Sequence, residues 1–105
     1  MKRIIYIDTA SNQEIIVRLE IDNKKFEKKE KIGKEKDQVV LSLIDQLLKE
    51  HKLSFSDMTD IQVNEGPGSF TGLRVGISIA NALSYALKIP VNGKKIQHLV
   101  NAKYQ

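Results

Sequence analysis

The chain opens with a short apolar run, Ile4-Ile5-Tyr6-Ile7, closed by Asp8, and a second run, QEIIVRLEID, mixes apolar and charged positions. Runs of this length, rich in β-branched residues, predict strands. Asp22, Asn23 and Lys24 then supply turn-formers ahead of KFEKKEKI, where Phe26 and Ile32 sit among charges as in an exposed strand. The short spacing predicts a hairpin of strands two and three, which strand one joins antiparallel.

Past Gly33 the period lengthens. Val40, Leu43, Ile44, Leu47 and Leu48 recur at helical spacing, Val39 and Leu41 widen the stripe, and Asp37 stands where a cap belongs. The spacing predicts a helix ending near His51 or Lys52. LSFSDMTD reads as a loop and DIQVN as a short strand. The glycine-rich EGPGSFTGLRVG follows, then a second helix to about Lys88 and a last short strand in IPVNG. The terminal IQHLVNAKYQ reads as a short helix. The order βββαβαβ predicts an α/β fold, a mixed five-stranded sheet with helices packed on it.

Length changes the picture little: 105 residues make one domain, 1–105. No cysteine is present, which excludes a disulfide framework and thiolate metal sites. The apolar run after the basic start is too short for a signal peptide, and the longest uncharged run, Val75 to Leu87, is 13 residues, too short to span a bilayer. A cytoplasmic protein is expected. Of the net charge of +4, residues 23–36 alone account for as much, with seven Lys and three Glu. With no arginine and only Phe26 as an aromatic, this segment reads as a charge-protected edge strand rather than a nucleic-acid surface.

The residues from Glu65 to Gly76 hold four of the six glycines, which raises the question of a phosphate-binding loop. The Walker pattern fails because no glycine is followed by Lys and then Ser or Thr. The dinucleotide fingerprint fails because Gly66 and Gly68 are followed by Thr71 at the third position. The loop has another use. Gly66-Pro67-Gly68 turns the chain off the strand, and Ser69 or Thr71 can cap the next helix. On that helix Gly72, Gly76, Ala80 and Ser84 lie four apart, a row of small residues that lets another helix approach closely. The helix carries no charge from Val75 to Leu87, so it is expected to need cover from a second chain. Gly76→Leu is then expected to abolish association and leave the strands intact.

GPGSFTGLRVG, the uncharged helix behind it, IPVNG, the opening DTAS and the helix segment LSLIDQLL together resemble the bacterial TsaB (YeaZ) family across nearly all of residues 3 to about 100. The resemblance implies a single actin-like lobe, of the Hsp70 and ribonuclease H kind. It also implies a non-catalytic partner of a TsaD-type protein in threonylcarbamoyl modification of adenosine 37 of tRNA. By the same resemblance the two helices meet TsaD, with Val40, Ile44, Gly72, Leu73, Gly76, Ile77, Ala80 and Ser84 as the contact. The loop motif is Gly66, Pro67, Gly68, Ser69, Phe70, Thr71, Gly72, Leu73 and Arg74. Lys36, Lys49 and Arg74 are expected at the rim. A homodimer through the same surface is expected for the chain alone, with a TsaE-type ATPase in the complex and tRNA engaged only indirectly. Members of the family carry a second, similar lobe that is expected to be missing here, and Lys36 stands where relatives often have histidine. No cofactor, metal or catalytic residue is expected.

Two other readings compete. A ribonuclease H-type nuclease would use Asp8 and Glu65 with a third carboxylate from Asp37, Asp45 or Glu50. A kinase-like fragment would use DTAS as its phosphate loop, although Ala10 stands where such kinases prefer glycine. His51 and His98 are isolated and carry no assigned role.

Overall fold

A computed structural model describes residues 1–31 and 36–93, together with all side chains in them except those of residues 36, 37 and 70. The expected cap Asp37, the rim charge Lys36, the Phe70 side chain, Ile32, His98 and the terminal helix lie outside what is described.

Strand β1, Arg3–Asp8, alternates as a half-buried strand should: Ile5 and Ile7 point to the core, and Ile4, Tyr6 and Asp8 to the opposite face. β2, Glu14–Ile21, pairs with it antiparallel and buries Ile15, Val17 and Leu19 on the same side. Asp22 and Asn23, at φ 48° and 71°, make the two-residue turn into β3, Lys24–Lys31. Two successive left-handed residues match the twist of a tight hairpin, which is why Asp and Asn serve there. The register then sets Glu20 opposite Lys25, Arg18 opposite Glu27 and Glu14 opposite Lys31. Opposite charges across an edge hairpin stabilise its register, so Lys25 and Lys31 of the lysine-rich segment serve strand pairing.

Helix α1, Lys36–Glu50, buries Val40, Leu43, Ile44, Leu47 and Leu48 over β2 and β3, as its spacing predicts. Val39 is half-buried, whereas Leu41 falls outside the stripe and is exposed. The helix gives way to a loop with one 3₁₀ turn, Phe55–Asp57, and then to β4, Asp60–Val63, which runs parallel to β1. Helix α2, Phe70–Leu87, packs on β4 and β1 and touches α1. The sheet order is β3-β2-β1-β4, with the helix-facing side as the core.

The described sheet has four strands, not five. IPVNG contributes only a bridge between Val91 and Ile61. The backbone turns away at once, because Asn92 and Gly93 adopt φ 50° and 76°. A side chain continues the ladder instead: Asn92 Oδ1 accepts from the Val63 N–H at 2.8 Å, and its Nδ2 donates to the Val63 carbonyl at 3.0 Å.

Candidate functional site

The row Gly72, Gly76, Ala80 and Ser84 is buried inside the chain. It docks α2 onto the end of β1. The Thr9 hydroxyl donates to the Gly72 carbonyl and accepts from the Gly76 N–H at 3.0 Å, so it stands between two groups that an α-helix normally joins to each other. Thr9 itself is 1% exposed. A Cβ on Gly72 would fall on the Thr9 carbonyl oxygen, and one on Gly76 on the Thr9 hydroxyl. The loop follows the same segment, since Ser69 N–H donates to the Ala10 carbonyl at 2.9 Å and a Cβ on Gly68 would lie 2.7 Å from that of Ala10. The glycines therefore let a helix and loop lie on the DTA backbone.

The ends of α2 are closed in the way the sequence suggests at one end only. Ser69 is the N-cap, accepting from the Gly72 N–H, while Thr71 is exposed and leaves that role to it. At the other end Ser84 acts twice. Its carbonyl accepts from the N–H groups of Lys88 and Ile89, and its hydroxyl donates to the Ile89 carbonyl. Gly66, at φ 115°, starts the turn off β4 through a cis bond to the exposed Pro67.

These positions correct the expected partner contact. Val40, Ile44, Leu73, Ile77, Ala80 and Ser84 are all in the core, and Gly72 and Gly76 are covered by Thr9, so none presents a surface to a second chain. The expectation that Gly76→Leu would spare the strands fails for the same reason: a side chain there strikes β1's end. Among its described side chains α2 shows Thr71, Arg74, Ser78, Ala82, Tyr85 and Ala86 to solvent, with Val75 and Ile79 half-buried beside them. Tyr85 is 73% exposed. Leu73, Ile77, Ala80 and Ser84 are buried within the lobe itself, and the outer face of α2 is uncharged from Val75 onward.

Asp8 ends β1, Glu65 lies two residues past the end of the neighbouring β4, and both are held by local partners. Asp8 Oδ1 accepts from the Ala10 N–H at 3.0 Å and from Asn64 Nδ2 at 3.2 Å, and its Oδ2 accepts from the Tyr6 hydroxyl at 3.3 Å. Glu65 Oε2 accepts from Asn92 Nδ2 at 2.6 Å. The other candidate carboxylates are elsewhere: Asp45 pairs with Lys49 at 2.9 Å and Glu50 with Lys28 at 2.7 Å. Among the described residues no three His, Cys, Asp or Glu side chains gather as a metal site. Within DTAS, Thr9 is turned inward to α2, while the half-buried Ser11 hydroxyl accepts from the Gln13 and Glu14 amides of its own turn. His51 sits against the Phe26 ring with Nδ1 on the Leu47 carbonyl. Asn64 and Asn92, which brace this corner, went unnoticed in the sequence; the Asn-Gly pair at 92–93 is the signal that marks one of them.

Two groups are electrostatically displaced. Burial first, and the Asp8 carboxylate second, push the Tyr6 hydroxyl up. The Ser54 amide and hydroxyl on its carboxylate hold Asp57 down.

A helix-covered mixed sheet, with a glycine loop that seats its second helix on the first strand, defines an actin-like, ribonuclease H-like lobe. Solved structures agree: YeaZ from Pseudomonas aeruginosa superimposes with a TM-score of 0.80 at 30% identity, covering 87% of this chain and 42% of that one. The family model described as TsaD, tRNA N6-adenosine threonylcarbamoyltransferase, matches residues 22–101. The tRNA threonylcarbamoyladenosine biosynthesis protein TsaB of Escherichia coli K12 is 34% identical over 91 residues, 87% of this chain and 39% of that protein. TsaB of Buchnera aphidicola subsp. Schizaphis graminum is 41% identical over 54 residues, 51% of this chain and 26% of its own length. A tRNA N6-adenosine threonylcarbamoyltransferase of Nitrosospira multiformis is 45% identical over 60 residues, 57% of this chain and 17% of that enzyme. The chain belongs to the TsaB (YeaZ) family, within the broader group that the transferase model describes. It spans about two fifths or less of the length of these relatives. Among the described residues no helix is long and apolar enough to cross a membrane.

Proposed function

We propose that the chain is a cytoplasmic, non-catalytic partner of a TsaD-type protein in tRNA threonylcarbamoyladenosine biosynthesis. The observation that carries this is the outer face of α2, uncharged from Val75 to Leu87 and displaying Tyr85, Ala82 and Ala86 to solvent. An exposed aromatic on a face without charge suits the centre of an interface, with Arg74 and Lys49 placed to act at a rim. A non-catalytic role is supported by the way the motif's polar groups are used: DTAS and the glycine loop bind each other. The same face, paired with itself, gives a two-fold homodimer in the absence of the partner. A TsaE-type ATPase and tRNA join through the TsaD-type protein rather than through this lobe.

The test is size-exclusion chromatography of the chain mixed with a TsaD-type protein from the same source. A one-to-one complex should form at the expense of the homodimer. Ala82→Arg or Tyr85→Asp should abolish both species with the circular-dichroism spectrum unchanged. A complex that tolerates both substitutions would refute this assignment of the surface.

A further inference from the structure

Asn92 and Gly93 form the only Asn-Gly pair in the sequence. Such a pair is chemically labile, because glycine has no Cβ to obstruct attack of its own backbone nitrogen on the preceding side-chain carbonyl carbon. Here the amide at risk is held at both ends. Its Oδ1 accepts from Val63 N–H at 2.8 Å, and its Nδ2 donates to the Val63 carbonyl at 3.0 Å and to Glu65 Oε2 at 2.6 Å. Gly93 is exposed at φ 76°, with open space where a Cβ would stand.

We propose that Asn92 is a deamidation site that the folded chain suppresses through its clamp on Val63 and Glu65, and whose reaction releases the end of β4. In the reaction the Gly93 nitrogen bonds to Asn92 Cγ, the Cγ–Nδ2 bond breaks, and ammonia leaves with the proton of the Gly93 N–H. Water then opens the resulting succinimide at either carbonyl, leaving aspartate or isoaspartate. While Nδ2 bridges Val63 and Glu65 it cannot depart, and while Oδ1 is fixed on Val63 N–H the carbonyl carbon cannot turn toward Gly93. The clamp must open first.

The product cannot rebuild the clamp. A carboxylate at position 92 has no donor to offer the Val63 carbonyl and meets Glu65 as a like charge, so an attractive contact becomes a repulsive one. Isoaspartate also lengthens the backbone by one atom between Asn92 Cα and the Gly93 nitrogen, so the turn at Gly93, where φ is 76°, cannot keep its path. Both products detach the segment that continues the sheet beyond β4.

The full chain is aged in mildly alkaline buffer, folded and in urea, and the gain of one mass unit in the peptide bearing Asn92 is followed by mass spectrometry. The exposed Asn12 and Asn23, neither followed by glycine, serve as internal references. The folded chain should react at Asn92 roughly tenfold or more slowly than the unfolded chain, the protection of a locally stable segment. Glu65→Ala should bring the folded rate toward the unfolded one, whereas Glu65→Gln, which keeps an acceptor, should retain most of the protection. Asn92→Asp, the product itself, should lower the urea midpoint whether or not Glu65→Ala folds. Equal folded and unfolded rates, a Glu65→Ala rate equal to wild type, or an unchanged Asn92→Asp midpoint would each overturn the proposal.

Discussion

Thr9 lies directly beneath Gly76, its buried hydroxyl accepting the Gly76 amide at 3.0 Å while it donates to the Gly72 carbonyl one turn earlier. A side chain more than sixty residues away thus completes a turn of α2. The helix cannot shift along β1 without stranding a buried donor and acceptor, so this contact fixes where the outer face of α2 points.

Replacing that hydroxyl should be expensive. Thr9→Val keeps the shape and removes both hydrogen bonds, leaving buried polar groups at a cost of about 1–3 kcal/mol. Thr9→Ser, which keeps the hydroxyl, should cost distinctly less. Urea midpoints of the two variants make the comparison, and equal losses would mean that the methyl packing, rather than the hydroxyl, matters.

Gly76→Ala sets two effects against each other. Alanine is favoured over glycine inside a helix by about 1 kcal/mol. Against this, the new Cβ falls on the Thr9 hydroxyl, and overpacking of this kind costs about 1–3 kcal/mol. The lost hydrogen bond adds to that side, so the variant should be destabilised. Combining it with Thr9→Ala opens the space, and the double variant should be more stable than the sum of the single losses predicts.

The row of small residues shows what periodicity reveals and what it leaves out. Spacing shows that Gly72, Gly76, Ala80 and Ser84 share a face; it does not say what that face meets, and the answer lies at Thr9, distant in sequence. α1 was legible because Val40, Leu43, Ile44, Leu47 and Leu48 need only water to define their inside. The hairpin was legible because Asp22 and Asn23 adopt the left-handed backbone a tight turn requires. The expected last strand does not form because Val91 offers one bridging residue and Asn92 continues the ladder with its side chain. Hydrophobic pattern carries no trace of an amide that mimics backbone.

Tyr6 should make the fold sensitive to alkali. Its hydroxyl is pushed up by burial and then by Asp8, so the neutral form is favoured in the folded chain. A raised value means stability that is complete below the ordinary tyrosine range, about pH 10, and is lost as pH rises through the folded value. Tyr6→Phe should flatten that alkaline decline in the urea midpoint. An unchanged decline would assign it to other groups.

Asp57 should act at the opposite end of the scale. Its carboxylate accepts from the Ser54 N–H at 2.8 Å and from the Ser54 hydroxyl at 3.1 Å, and these bonds hold it below the ordinary carboxylate range. A lowered value gives stability that is present above the unfolded value and disappears as pH falls through the folded one. The residue is at the surface, so water and salt weaken the effect and it remains a local one. The 3₁₀ turn it closes, Phe55–Asp57, is the approach to β4, and the next residue, Met58, is buried in the core. Loosening should therefore register first at the Ser54 and Asp57 amides. Hydrogen exchange corrected for intrinsic rates, measured across the range from about pH 5 to pH 3, should show protection at these amides falling ahead of that in β1. Asp57→Asn, whose amide oxygen still accepts but never protonates in this range, should remove the pH dependence and keep part of the protection. Parallel loss at Ser54 and in β1, in both proteins, would show that the turn opens only when the whole lobe does.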